Sequence, residues 1–178
     1  MIPNSLIMSA FGPYQNVVEI NFDIFKQDGL FLITGPTGAG KTMIFDAITF
    51  ALYGVSSGGE RSVEQFRCNN AENDVATYVI LDFTLHNQRY VIKRSPKYTL
   101  EGRKTPKMPT ALLTLPNGKI VDGVKEVNAK VKELLGIDEK QFKQIAMIAQ
   151  GKFTELIYAG SDEREKVLRN LFKTDNLV

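Results

Sequence analysis

One stretch limits what this chain can fold into more than any other: Gly35-Pro36-Thr37-Gly38-Ala39-Gly40-Lys41-Thr42. It fits the G-x-x-x-x-G-K-[ST] pattern of a phosphate-binding loop. Before it, Leu30-Phe31-Leu32-Ile33-Thr34 is short, apolar and closed by Gly35, which predicts a buried strand. After it, Met43 to Leu52 is almost wholly apolar, with only Asp46 and Thr49 polar, and this predicts a helix buried on most sides. Strand, glycine loop and helix together give the pattern its context. A glycine-rich turn with an incidental Lys-Thr would need none of these flanks.

The residue types suit an anion. Glycine at 35, 38 and 40 opens backbone conformations closed to other residues, so successive N–H groups can line one concavity. The N-terminus of the following helix adds its dipole and its unpaired N–H groups. Lys41 is spaced to reach the β- and γ-phosphates of a nucleotide, and the Thr42 hydroxyl to ligand Mg²⁺. The sequence therefore predicts a nucleotide site.

Bulk composition narrows the rest. A chain of 178 residues has the length of one domain with a proper core. With 43% hydrophobic and 24% charged residues it reads as a soluble globular protein, and a net charge of +2 gives no global field that demands a polyanion. The lone Cys68 excludes an internal disulfide and an all-cysteine zinc site, and one histidine, His86, leaves little for a transition-metal centre or a Cys–His nucleophile. Met1 to Ser5 carry no basic side chain and no long apolar run follows, so no secretory signal is expected. No stretch approaches the about 20 apolar residues of a membrane helix. The expectation is a cytoplasmic protein without a membrane partner.

Taken in order, Leu6-Ile7-Met8 and Val17 to Phe22 predict two strands turned around Phe11-Gly12-Pro13-Tyr14, and Lys26-Gln27-Asp28-Gly29 a second turn into the phosphate loop. Gly54 to Gly59 reads as a loop and Arg61 to Cys68 as a short helical turn. Residues 77–85 alternate apolar and polar, Asn87-Gln88 turns the chain, and Arg89 to Arg94 returns it, a hairpin with one buried face. Ala111 to Leu115 and Lys119 to Val121 form a further hairpin around Asn117-Gly118. Val124, Val127, Val131, Leu134 and Leu135 mark an amphipathic helix ended by Gly136. Asp138 caps another helix through about Ala149. After Gln150-Gly151 a short helical stretch runs to Tyr158, and Ser161-Asp162-Glu163 opens a last helix.

Two features of the first hairpin call for comment. Val79-Ile80-Leu81-Asp82 imitates an apolar strand ending in a magnesium-binding aspartate, yet Asp82 falls on the polar side of the alternation, which predicts that it faces solvent. From Arg89 to Pro109, seven basic residues (Arg89, Lys93, Arg94, Lys97, Arg103, Lys104 and Lys107) stand against the single acid Glu101. One reading is a contact with phosphate backbone, with Tyr90 and Tyr98 available for stacking. The other is a solvated hairpin tip that prevents edge pairing.

Gly35 to Thr42, followed by Phe45-Asp46-Ala47-Ile48 and Ala51-Leu52-Tyr53-Gly54, resembles the ABC-type ATPases of chromosome maintenance: the SbcC, SMC and RecF-like families. Ile148-Ala149-Gln150-Gly151-Lys152-Phe153 with Ser161-Asp162-Glu163-Arg164-Glu165-Lys166 is similar to the glutamine loop and the start of the first coiled coil in the SbcC family. Phe11-Gly12-Pro13-Tyr14 matches the bacterial form, whereas archaeal and eukaryotic relatives usually carry Arg where this chain has Gly12, so a nucleotide contact made there is lost or replaced. The resemblance spans most of the chain and is weakest over residues 95–125.

The resemblance implies an α/β fold: the N-terminal lobe of an ABC-ATPase head over residues 1–178. In it the phosphate-loop strand and helix sit in a mixed sheet with antiparallel hairpins, and a helical segment lies at the C-terminal end. It implies ATP and Mg²⁺ as cofactors, held by the segment Gly35, Pro36, Thr37, Gly38, Ala39, Gly40, Lys41, Thr42 and Met43. It makes Lys41 and Gln150 catalytic, Thr42 and Gln150 the magnesium ligands, and Arg67 a nucleotide contact. Taken alone, Gln150 reads as a polar residue at a helix end. In the family a C-terminal lobe carries the signature motif, the Mg²⁺-holding aspartate–glutamate pair and a switch histidine, beyond a long coiled coil with a zinc hook. None of these is visible here. The implied partners are that lobe, a second ATPase head, an SbcD-like nuclease and double-stranded DNA. Two other classes compete. A self-contained P-loop kinase or small-molecule NTPase needs an internal magnesium aspartate, for which Asp82 is the only candidate. A transporter's nucleotide-binding domain is disfavoured by Phe45-Asp46-Ala47-Ile48.

Overall fold

The alternation of residues 77–94 builds the centre of a six-stranded sheet in the computed structural model, which describes residues 1–25, 31–58, 62–146 and 160. The strands are β1 (Ile2–Ser9), β2 (Val18–Asn21), β3 (Tyr78–Leu85), β4 (Gln88–Ser95), β5 (Thr110–Thr114) and β6 (Ile120–Asp122). Their order is β2-β1-β3-β4-β5-β6, and every pairing is antiparallel. The hairpin turn falls on His86-Asn87, one residue before the expected Asn87-Gln88. Both are left-handed, with φ of 50° and 61°, and Gln88 already pairs with Leu85. That geometry matches the twist of the flanking strands, and Asn tolerates it.

Period two decides which side chains go inward. Val79, Leu81 and Phe83 of β3, Tyr90, Ile92 and Arg94 of β4, and Leu6 and Met8 of β1 are all buried on the face that two helices cover. Helix α1 (Lys41–Tyr53) packs on β1, β3 and β4, and α2 (Val124–Leu135) packs on β5, β6 and α1. Nine of the 13 residues of α1 are buried, as its apolar run predicts. It stops at Gly54, whose left-handed φ of 74° lets its N–H reach the Phe50 carbonyl at 2.8 Å. In α2 only Val127 and Val131 are buried, the narrow stripe of a surface helix, and Gly136 follows it with φ 68°. Phe11, Phe50 and Phe66 pack in tilted and edge-on contacts at centroid distances of 4.8 to 6.0 Å beneath the end of β1. Each such ring contributes roughly 1.5–3 kcal/mol of burial.

A second unit of the chain begins at Gly136. In it α3 (Glu139–Ala146) opens with the predicted cap: the Gln141 N–H donates to Asp138 Oδ1, and the Asp138 N–H to Gln141 Oε1, each at 2.9 Å.

One sequence expectation fails here. Phe31 to Thr34 have no regular secondary structure, with Leu32 84% and Phe31 44% exposed, so the expected buried strand is absent among the described residues. An apolar run becomes a strand only if a neighbour accepts its ladder bonds. Phe31 instead rests its ring on Phe25 and Phe22, at 5.0 and 5.8 Å. The described strands therefore form a wholly antiparallel sheet rather than a mixed one. The predicted turn at Lys26 to Gly29, and everything expected from Ile148 onward, lies outside the described residues.

Candidate functional site

The loop from Gly35 to Gly40 takes the shape its glycines permit. Gly38 and Gly40 have φ of 84° and 92°, and Gly35 has φ of 155°. Lys41 Nζ crosses the loop and donates to the carbonyl oxygens of Gly35 at 2.7 Å and Pro36 at 2.8 Å. Gly40 is the N-cap of α1 and has no side chain to accept from the first turn, which leaves that helix end open to an anion. Residues 35–39 and Thr42 are exposed. Among the described residues nothing lies within 4 Å of where a Cβ on Gly38 would stand, so they leave the outer side of the loop open. Its inner side is not. A Cβ on Gly40 would meet Pro13 Cγ at 2.6 Å and Tyr14 Oη at 2.9 Å. The Tyr14 hydroxyl donates to the Gly40 carbonyl at 3.3 Å, and burial raises its pKa above the ordinary value, so it is protonated at neutral pH.

These features fit a polyphosphate with its magnesium ion. Backbone N–H groups and Lys41 would hold the phosphates, and Thr42 would supply a hydroxyl to the metal. Gln150, the expected second magnesium ligand, lies outside the described residues. Among the described residues no group of three His, Cys, Asp or Glu side chains is placed to hold a metal.

Sequence reasoning missed Asp46. This buried residue of α1 accepts from the Ser57 N–H at 2.8 Å and the Ser57 hydroxyl at 2.6 Å, and so ties the loop after α1 back to its middle. Such a contact across eleven residues leaves no periodic trace in the sequence.

Arg67 sits where its backbone bridges Phe11, but its side chain turns to its own neighbourhood. It donates to the carbonyls of Val75 and Glu72 at 2.9 Å each and to Thr77 Oγ1 at 2.7 Å, and its guanidinium carbon lies 4.9 Å from the centroid of the Tyr98 ring. This role, holding residues 71–77, accounts for its position.

The basic stretch divides by register. Arg94 is 2% exposed and faces the core, so it is not a phosphate contact. Tyr90 is buried against Phe83 with ring centroids 5.4 Å apart, and Tyr98 is buried with its hydroxyl accepting from the Thr77 N–H, so neither is free to stack on a base. Lys97 lies 3.1 Å from Glu64. Arg103, Lys104 and Lys107 line an open cleft of about 540 Å³ with Leu100, Thr105 and Pro106.

Asp82 also departs from expectation. It lies on the sheet face away from α1, as the alternation predicts, but it is only 6% exposed rather than solvent-facing. Asn4 Nδ2 donates to its Oδ1 at 2.7 Å, and Arg89 Nε and a terminal nitrogen donate to its Oδ2 at 2.8 and 2.5 Å. Hydrogen bonding and charge from Asp82 raise the Arg89 pKa above its ordinary value. A carboxylate so engaged is not a magnesium ligand for the loop. Asp82→Asn is expected to leave the affinity for a fluorescent ATP analogue unchanged and to lower stability in urea only slightly, since Arg89 is largely exposed. A parallel loss of nucleotide affinity would revive the self-contained NTPase.

A family model described as an AAA domain matches residues 5–177. The curated SbcC component of the SbcCD nuclease of Vibrio cholerae is 42% identical over 182 residues, covering 98% of this chain and 18% of that protein. The equivalent proteins of Staphylococcus saprophyticus and Staphylococcus epidermidis carry the same name and are 36% and 34% identical over the same shares. This chain thus spans about a fifth of the length of the curated relatives it matches. Among the described residues, no helix is long and apolar enough to cross a membrane. With an α/β fold consistent with the N-terminal lobe of an ABC-type ATPase, the chain belongs to the AAA-domain family, in the company of the SbcC components of the SbcCD nucleases.

Proposed function

We propose that this chain is the ATP·Mg²⁺-binding lobe of an ATPase of DNA double-strand-break repair and recombination. In this reading ATP brings two heads together and so regulates a partner nuclease on DNA ends. The observation that carries the reading is the loop itself. Its glycines are left-handed, Lys41 Nζ spans it, and an uncapped helix end opens behind it. Lys41 would neutralise the β- and γ-phosphates, Thr42 and Gln150 would complete the magnesium shell, and Gln150 would sense the γ-phosphate.

Chemistry beyond binding needs groups from elsewhere. The one buried carboxylate of β3, Asp82, is engaged by Arg89 and Asn4, which supports a water-activating pair on a C-terminal lobe. The exposed Phe31 and Leu32 beside the loop support docking of that lobe there. An SbcD-like nuclease and double-stranded DNA are the further partners. Lys93, on the outward side of β4, and Arg103, Lys104 and Lys107 are exposed members of the basic stretch that remain open to a phosphate backbone.

The test is turnover. The purified chain should bind the ATP analogue in the presence of Mg²⁺ yet hydrolyse ATP slowly or not at all, and adding the complementary lobe should recover hydrolysis. Robust turnover by the chain alone would overturn the reading in favour of a self-sufficient P-loop enzyme.

A further inference from the structure

We propose that Tyr14 is a positioning residue for nucleotide binding, and that the Phe11–Tyr14 turn is the fixed wall against which the Gly40–Lys41 end of the loop is set. The inference rests on reading Gly35 to Thr42 as a nucleotide site.

The Gly40 carbonyl accepts from two directions: the Met43 N–H of the first helical turn at 2.9 Å, and the Tyr14 hydroxyl at 3.3 Å. The contact is also steric. Gly40 has no room for a Cβ against Pro13 and Tyr14, and Gly12 has none against Met43, whose Cε would lie 2.7 Å away. Turn and helix start interlock at two glycines, one from each side.

The turn is rigid from behind. The Phe11 N–H donates to the Tyr14 carbonyl at 2.9 Å, and the Tyr14 N–H returns a bond to Phe11 at 3.0 Å. The Gly12 N–H donates to the Phe66 carbonyl at 2.7 Å, and the Cys68 N–H to the Ala10 carbonyl at 2.9 Å. Pro13 fixes its own φ. Ala10, fully buried, holds a φ of 45°, a conformation an L residue keeps only where its surroundings over-determine it.

Lys41 and Thr42 follow Gly40 directly, so any shift of the Gly40 carbonyl moves their N–H groups and side chains. A wall that holds this carbonyl removes reorganisation from the binding step. Tyr14 reaches the phosphates only through the loop.

The experiment compares the unsubstituted chain with Tyr14→Phe and Tyr14→Ala. It reads the affinity for a fluorescent ATP analogue with Mg²⁺, the thermal midpoint, and hydrogen exchange at individual amides. Tyr14→Phe keeps the ring against Gly40 and loses only the hydroxyl. It should weaken binding about threefold, the size of one neutral hydrogen bond, with an unchanged midpoint. Tyr14→Ala should weaken binding about tenfold or more and speed exchange at Lys41 and Thr42 but not in β3. Wild-type affinity in Tyr14→Ala would overturn the proposal. So would a loss that merely follows a lowered midpoint with exchange faster everywhere. If the unsubstituted chain fails to bind the analogue, the nucleotide reading falls, and the positioning role with it.

Discussion

Replacing Arg94 with alanine is expected to cost about 3–5 kcal/mol of folding stability, a large share of the roughly 5–15 kcal/mol a domain has. Arg94 lies on β4 with 2% exposure, and its guanidinium reaches the C-terminal end of α1. Nε donates to the Ala51 carbonyl at 3.0 Å, and one terminal nitrogen to the Leu52 carbonyl at 3.3 Å and to Asn128 Oδ1 of α2 at 2.9 Å. One side chain thus joins the sheet to both helices and places a positive charge at a helix C-terminus. Burial opposes this charge and pulls the guanidinium pKa down to about 10. Alanine would relieve that penalty, yet it would take this donor from two buried carbonyls and the part-buried Asn128 oxygen and leave a cavity, and these costs dominate. The melting temperature should fall on the order of 10 °C. Arg94→Lys should recover only part of the loss, because a compact ammonium cannot serve the three acceptors from a planar fork.

The buried Arg94 charge also gives its contribution a defined pH dependence. The folded pKa is depressed below the unfolded one, so the native state holds this proton more weakly. The penalty on the charged form is constant below the folded value and shrinks only as pH rises from about 10 toward the ordinary arginine range. The cost of Arg94→Ala should therefore be flat between about pH 6 and pH 9 in urea titrations. A cost that varies across that window would mean another titrating group shares the site.

Arg94 also marks where the sequence was legible and where it was read too coarsely. The alternation that assigned Val79, Leu81 and Phe83 to the core applies equally to β4, where Arg89 and Lys93 point out and Tyr90, Ile92 and Arg94 point in. Treating residues 89–107 as one charged patch ignored that period, since composition sums charge without regard to face. Local signals were dependable because they are settled within a few residues. The glycine that ends α1, the Asp138 cap and the Asn117-Gly118 turn belong to this class. The apolar run at Phe31 to Thr34 failed for the opposite reason. A strand is a property of two segments, and an apolar run does not say whether its neighbour is present. Asp82 falls between these cases. Its face followed from the alternation, but its burial by Arg89 and Asn4 depends on strand register.

In the loop, Gly40→Ala is expected to weaken binding of a fluorescent ATP analogue about 100-fold or more, and Gly38→Ala only about fivefold to tenfold. Both glycines are left-handed, at 92° and 84°, so alanine meets a similar backbone penalty of about 1 kcal/mol at either. They differ in what surrounds them. Among the described residues a Cβ at 38 meets nothing within 4 Å, whereas a Cβ at 40 lands 2.6 Å from Pro13 Cγ and 2.9 Å from Tyr14 Oη, on a turn that is itself hydrogen-bonded to residues 66–68. The hydrogen-bonded turn and the closed Pro13 ring resist this clash more than the loop does, so the expected shift falls on Gly40, the residue next to Lys41. Misaligning Lys41 and its N–H loses a charge-assisted hydrogen bond to phosphate of about 1.5–3 kcal/mol, which with the backbone penalty gives a factor of about 100 or more. Titration with the analogue in excess Mg²⁺ measures both variants directly, and urea unfolding checks that the core of β1, β3 and β4 is unaffected. Equal losses at the two glycines would mean that backbone conformation alone sets this loop and that the Phe11–Tyr14 turn does not brace it.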